Sequence, residues 1–330
     1  MTHSLGSNLI FIISQPRAGS TMLQRILGTH SKIHTVSEPW IMLHPFYVTR
    51  QIGYEAEFDA SLAHRAVTGF IQSLPNGIDD YYEGVRRMYT FLYEKKLKSE
   101  GKSYFLDKTP RYYNIIPDLH RTFPQAKFII LYRNPLACLS SILNTWVKEN
   151  LFFLYYYKRD LLNAPILLVE GVKQIKRDVL VIRYEDIVAE PDNKIKRICE
   201  YLNIEYEPEM INYGQTGQVN WVFGDKITVN KNTKPVKNSV NKWMSLDKDT
   251  QTWRLYHDYL RMLGESIINE LGYSYHEMLQ QLEKEHPSRQ LVLFTHSLTE
   301  LINKDYIKRN FIEKCILKAF IKFSKRLMRK

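Results

Sequence analysis

Leu9-Ile10-Phe11-Ile12-Ile13-Ser14-Gln15-Pro16-Arg17-Ala18-Gly19-Ser20-Thr21-Met22-Leu23 is an apolar run, a short polar turn and the start of a helically periodic segment, in that order. A parallel strand buried on both faces reads as a nearly continuous apolar run, which Leu9 to Ile13 supplies. Met22, Leu23, Ile26 and Leu27 then recur at helical spacing. The spacing therefore predicts a strand, a loop and a helix. Such a junction aims backbone N–H groups and the positive end of the helix dipole at one point, which favours an anion such as phosphate or sulfate. Against the nucleoside-triphosphate loop G-x-x-x-x-G-K-[ST], Gly19 and Thr21 keep their places, but Ser14 replaces the leading glycine and Ser20 the lysine. The cation has moved to Arg17. Triphosphate hydrolysis needs a cation and magnesium at the transferring phosphoryl group, so this loop suits another anionic donor. A strand-to-helix turn that binds nothing would share the local pattern, and the rest of the chain has to decide.

Further strand, junction and helix units follow. Tyr104 to Leu106 stops at Asp107-Lys108-Thr109-Pro110, and Lys127 to Tyr132 stops at Arg133-Asn134-Pro135. Pro135 opens a helix continued by Leu136, Leu139, Ile142 and Leu143, with Ser141 two turns along. Val179 to Ile182 ends in Arg183-Tyr184-Glu185-Asp186, and a helix over Asn193 to Leu202 follows Pro191. Alternating strands and helices imply a parallel sheet with right-handed crossovers, and ligands of open α/β sheets sit beyond the carboxyl ends of the strands. Ile33 to Val36 is a short strand candidate, and a helix is predicted over Asn114 to Phe123. Glu38 precedes Pro39, which excludes it from a helix interior and leaves it in a loop, either as a general base or as a solvated carboxylate. From Met42 to Gly101 the pattern is that of a helical insertion. Its aromatics, among them Phe46, Phe70, Tyr82, Tyr89, Phe91 and Tyr93, could line an acceptor pocket or fill core. Gly214 to Asn241, with Lys226, Lys231, Lys234 and Lys237, reads as a long loop of the kind that covers ligands, and helix resumes from Trp243 to Leu271.

At 330 residues the chain has room for one large α/β domain with additions. Cys138, Cys199 and Cys315 are odd in number and widely spaced, which suggests neither a disulfide framework nor a zinc cluster and fits a reducing compartment. With no apolar stretch of membrane-spanning length, a cytoplasmic protein is expected. Of the net charge of +11, +8 lies between Lys308 and Lys330. The body is thus too nearly neutral for a general attraction to nucleic acid.

Taken together, Pro16-Arg17-Ala18-Gly19-Ser20-Thr21, Phe123-Pro124-Gln125-Ala126-Lys127-Phe128, the eight-residue step from Arg133 to Ser141, Arg183-Tyr184-Glu185-Asp186 and the Lys226 to Trp243 loop resemble the sulfotransferases that use 3′-phosphoadenosine 5′-phosphosulfate (PAPS). The branch containing the protein-tyrosine sulfotransferases is the most similar. The resemblance runs from about Asn8 to Trp243, outside the helical insertion. It implies a P-loop three-layer α/β/α fold with PAPS as co-substrate and no metal. It also implies binding of the 5′-phosphosulfate by Arg17, Ala18, Gly19, Ser20 and Thr21, and of the 3′-phosphate by Arg133 and Ser141. Tyr184 would lie near the adenine, and Lys226 and Lys234 would sit in the cofactor-covering loop. The catalytic set it implies is Glu38 as general base with Lys108 and Arg17 at the transferring group. The sequence departs from the tyrosine-modifying enzymes in having Pro39-Trp40 after Glu38 and no arginine between Glu38 and Arg50, which favours a hydroxyl on a carbohydrate, glycolipid or small molecule as acceptor. The rival readings are a P-loop nucleotide kinase or NTPase, and a non-catalytic membrane-binding protein on the same fold.

The expected organisation is a sulfotransferase domain over 1–285, its insertion at about 42–101, and a basic helical tail over 286–330. In the tail, Ile307, Phe311, Ile316, Phe320 and Phe323 alternate at helical spacing with Lys308, Lys314, Lys318 and Lys322. A helix of this kind suits either an anionic membrane surface or packing against the protein.

Overall fold

The computed structural model describes residues 6–36, 38–53, 55–176, 178–216, 232–244, 250–285 and 295–306. The anticipated Lys226, Lys231, Cys315 and the basic tail from Lys308 lie outside them.

Five strands, β1 (Leu9–Ser14), β2 (Ile33–Thr35), β3 (Tyr104–Lys108), β4 (Lys127–Tyr132) and β5 (Val179–Arg183), form one sheet in the order β2-β3-β1-β4-β5. Every pairing is parallel. All six residues of β1 are buried, as a central strand covered on both faces requires. Burying each large apolar side chain there is worth roughly 2 kcal/mol, so strand position follows closely from the apolar run. Register then decides which side chain meets which layer: Ile10 and Ile12 lie beside Leu106 and Lys108, and Phe11 beside Asp107. The first set shares a face with α1 (Ser20–Gly28), whose Met22, Leu23, Ile26 and Leu27 pack into the same core. On the other face Phe11 stacks on Phe128 at 5.4 Å and meets Tyr112 edge-on at 6.4 Å.

The helical insertion comprises α2 (Leu43–Tyr47), α3 (Ala60–Gln72) and α4 (Ile78–Glu100). Its aromatics divide: Phe46, Tyr82, Tyr89 and Tyr93 are buried core, whereas Phe70 and Phe91 are exposed. The helix anticipated from Asn114 begins instead as a 3₁₀ turn, Pro110–Ile115, followed by α5 (Ile116–Thr122). Pro117 explains the break, since proline suits a first turn and removes a donor from a helix interior. Of the anticipated loop over Gly214 to Asn241, residues 217–231 lie outside the described residues; a 3₁₀ turn, Pro208–Thr216, leads into it and another occupies Lys237–Ser239.

The chain forms two compact units. The first comprises the residues up to Asn134 with Ile166–Asn241 and contains the whole sheet. The second comprises Pro135–Pro165 and the residues from Lys242 on. Its described core is helical, with Leu139, Ile142, Leu161, Trp243, Tyr256, Tyr259 and Leu260 among the buried side chains.

Candidate active site

Every strand of the sheet delivers a candidate residue at its carboxyl end. β1 leads to Arg17 and the Gly19 turn, β2 to Glu38, β3 ends on Lys108, β4 is followed by Arg133, and β5 by Tyr184. The chain leaves β1 toward the edge strand β2 and leaves the neighbouring β3 and β4 in the opposite direction, so the connections diverge at β1. Open α/β sheets bind ligands at such a divergence.

The loop after β1 is shaped by two left-handed residues, Arg17 (φ 71°) and Gly19 (φ 94°). Ala18 donates its N–H to the Gln15 carbonyl at 3.1 Å, which closes the turn, and Gly19 caps α1. The first-turn N–H groups of a helix, here at Ser20 and Thr21, have no partner within it and point out along its axis. Ala18, Ser20 and Thr21 are all buried. Gly19 has a second reason to be glycine: a Cβ there would overlap the ring of Tyr184.

Lys108 is completely buried, and its Nζ donates to Glu38 Oε1 at 2.7 Å and lies 3.5 Å from Thr21 Oγ1. Burial pulls this ammonium below the ordinary lysine range, and the adjacent Glu38 and Asp107 carboxylates act in the opposite sense. Glu38 is 11% exposed. Lysine, carboxylate and the P-loop threonine thus meet at one point, from segments about 70 and 87 residues apart in sequence.

A second cluster surrounds Arg133. Its guanidinium donates to the carbonyl oxygens of Arg17 and Ser239, each at 2.9 Å, and stacks over the Tyr184 ring at 4.3 Å. Tyr184 also shares a 2.6 Å hydrogen bond with Ser239. Arg133 Nε is buried with no hydrogen-bond partner among the described residues. The anticipated Ser141 lies on α6 (Pro135–Ile142) in the second unit. Lys234 is exposed, and its carbonyl accepts a hydrogen bond from Tyr213 at 3.0 Å.

Three residues near these clusters lie outside the anticipated site set. Trp40 donates its indole N–H to Glu38 Oε2 at 3.2 Å. Arg111 stands over the Trp40 ring at 5.1 Å. Asp107, buried on the face opposite Lys108, accepts hydrogen bonds from Tyr93 at 2.7 Å and from Tyr112 and Thr109 at 3.0 Å. Burial raises its carboxyl to about 6 despite these donors. Only Asp107 could have been placed from sequence, because strand alternation sends it to the face opposite its neighbour Lys108. Among the described residues no group of three His, Cys, Asp or Glu side chains is placed to hold a metal ion.

A buried lysine, two partly buried arginines, a helix N-terminus with free N–H groups and an adjacent carboxylate, all at strand ends, suit a group-transfer enzyme working on an anionic donor. Comparison with known proteins gives that class a family. Residues 9–208 match the model of the Sulfotransferase family, and the chain belongs to that family. The chain is 29% identical to nodulation protein NoeE of Sinorhizobium fredii over 80% of its own length and 66% of that protein's. It is 24% identical to protein-tyrosine sulfotransferase 1 of Danio rerio over 72% of its own length and 65% of that protein's. It thus spans about two thirds of the length of these relatives. Among solved structures, the sulfotransferase domain from the curacin biosynthetic pathway aligns with a TM-score of 0.48 at 19% identity, covering 83% of this chain and 99% of that one.

Proposed function

We propose that this enzyme transfers the sulfuryl group of PAPS to a hydroxyl of a carbohydrate, glycolipid or small-molecule acceptor. The observation that carries the reading is the Glu38–Lys108–Thr21 contact, which sets a carboxylate and a buried cation beside the anion cradle. PAPS supplies an activated sulfuryl group whose departure leaves a phosphate. The residues present suit that donor: first-turn N–H groups and Arg17 would serve the 5′ end, and Arg133, whose buried Nε has no hydrogen-bond partner among the described residues, the 3′-phosphate, a role Ser141 would share. Tyr184 would meet the adenine, and Lys226 and Lys234 would contribute from the covering loop.

Glu38 takes the proton from the acceptor hydroxyl as the new O–S bond forms and the S–O bond to phosphate breaks. Lys108 and Arg17 hold the negative charge gathering on the phosphate oxygen. Lys108 does so where burial makes each charge contact stronger than in water, and without reorganising. The acceptor preference is supported by Arg50, the first arginine after Glu38 and a cation that could read an acidic peptide. It is tied to Asp118 and to the Asn114 carbonyl, both at 2.9 Å, and stacks on Tyr47.

The product nucleotide, 3′-phosphoadenosine 5′-phosphate (PAP), is expected to bind the purified protein in calorimetry without added metal, and Arg133→Met to weaken it by about tenfold or more. Absence of PAP binding, or ATP turnover that depends on magnesium, would replace this reading with the nucleotide-kinase one. Fractionating a lysate incubated with radiolabelled PAPS into lipid, carbohydrate and protein identifies the acceptor class.

The division at residue 285 and a peripheral, cytoplasmic membrane association through the basic tail are part of the same proposal. Both rest on the tail's sequence pattern.

A further inference from the structure

Trp40 is the least expected side chain at this site. Its backbone is left-handed at φ 58°, a conformation that costs a bulky residue about 1–2 kcal/mol and persists only where surrounding contacts over-determine it. Those contacts are present, and apart from one local hydrogen bond they come from one stretch of chain. Arg111 lies over the indole ring, and the Trp40 carbonyl accepts from Leu43 N–H at 3.1 Å. Two residues on, Met42 N–H donates to Tyr112 Oη at 3.2 Å, and Tyr112 in turn donates to the buried Asp107. The span from Asp107 to Tyr112 therefore grips the loop after β2 at three places: Lys108 on Glu38, Arg111 on Trp40 and Tyr112 on Met42.

The gripped loop presents its indole N–H to Glu38. Lys108 engages Oε1 and Trp40 engages Oε2, so both oxygens of one carboxylate are held from different directions. The terminal torsion of a glutamate is otherwise broad, and one hydrogen bond alone would let the carboxylate plane swing. Each carboxylate oxygen has two lone-pair sites, so a donor on Oε2 leaves room there for an acceptor's proton.

We propose that Trp40 is a positioning residue of the transfer reaction: its indole N–H fixes the plane of the Glu38 carboxylate so that Oε2 meets the acceptor hydroxyl while Oε1 stays on Lys108. The proposal rests on Glu38 being the general base. A donor on a carboxylate weakens it as a base by a few fold at most, whereas misplacing a reacting group by about 1 Å costs up to ~100-fold, so orientation is the larger effect.

Trp40→Phe keeps the ring for Arg111 to cover and removes only the donor. With radiolabelled PAPS and the lysate fraction that takes up label, the variant should lose roughly 10- to 100-fold in kcat. Its KM for PAPS and its affinity for PAP should stay within about twofold, and its melting temperature within a few degrees. Placed in a Glu38→Gln background, the same change should add no further loss, because the two residues act as one unit. The indole N–H resonance that disappears in Trp40→Phe should move in Glu38→Gln, a readout independent of turnover. Wild-type kcat in Trp40→Phe, equal losses in both backgrounds, or an indole resonance indifferent to Glu38→Gln would each overturn the proposal. Full activity in Glu38→Gln would instead remove the general-base reading. An inactive Glu38→Gln beside a fully active Trp40→Phe would sink the Trp40 role alone.

Discussion

Lys108 and Asp107 are consecutive residues, both buried, and they have opposite effects on the protein's chemistry because a strand sends neighbours to opposite faces. Lys108 is paired: an ammonium taken out of water is tolerated when a carboxylate at 2.7 Å compensates it. Asp107 is instead surrounded by hydroxyl donors. Its carboxyl lies at about 6 against an unfolded value of 3.8, so the folded state favours the protonated form. That contribution is complete below about pH 4 and is lost as pH rises through 6, amounting to about 3 kcal/mol. Asp107→Asn, which keeps an amide among the same hydroxyls, should lack this loss. The difference in melting temperature between variant and wild type is expected to grow in the variant's favour from pH 4 to pH 7. A difference that stays constant over that range would show that Asp107 does not titrate there.

At the scale of elements, the proposed function falls on the junction of β1, its loop and α1. Gly19 is held there by two independent constraints, a backbone at φ 94° and the Tyr184 ring lying where a Cβ would be. Gly19→Ala should therefore both strain the turn and displace Tyr184, along with the Arg133 guanidinium stacked on it. The expected result is a loss of PAP affinity of at least tenfold, with a drop in stability of about 1–3 kcal/mol, read by calorimetry and thermal melting. Unchanged PAP affinity would place the nucleotide away from this loop. Ser239 shows how far the junction reaches, since its carbonyl takes one arm of the Arg133 fork and its hydroxyl the Tyr184 phenol. The 3₁₀ turn Lys237–Ser239 thus belongs to the same polar cluster as the loop after β1.

For the molecule as a whole, charge is the property that differs most between its parts. The segment from Lys308 to Lys330 holds most of the net +11, in an amphipathic order of apolar and basic residues. If that order serves an anionic bilayer, deleting 308–330 should abolish co-sedimentation with phosphatidylserine vesicles and leave PAP binding unchanged. The interaction should weaken with salt, because exposed charges are screened over about 10 Å at 0.1 M. Sedimentation equal to that of the intact chain would remove the membrane role. No helix among the described residues is long and apolar enough to cross a membrane.

The sequence by itself determined the parallel sheet, the strand–loop–helix junction after β1 and the presence of Arg17, Lys108, Arg133 and Tyr184 at strand ends. Apolar runs, turn residues and helical periodicity are local signals, and each is read within a few residues of the group it positions. What only the tertiary structure decided is which of these groups meet. The Lys108–Glu38 pair, the Trp40 indole on the second carboxylate oxygen, the Asp107 hydroxyl cluster and the grip of Arg133 on Ser239 join segments that strand order and register bring together. No period along the chain encodes such contacts. They depend on the energy of packing whole layers, and that energy selects one partner for each side chain only when the sheet has closed.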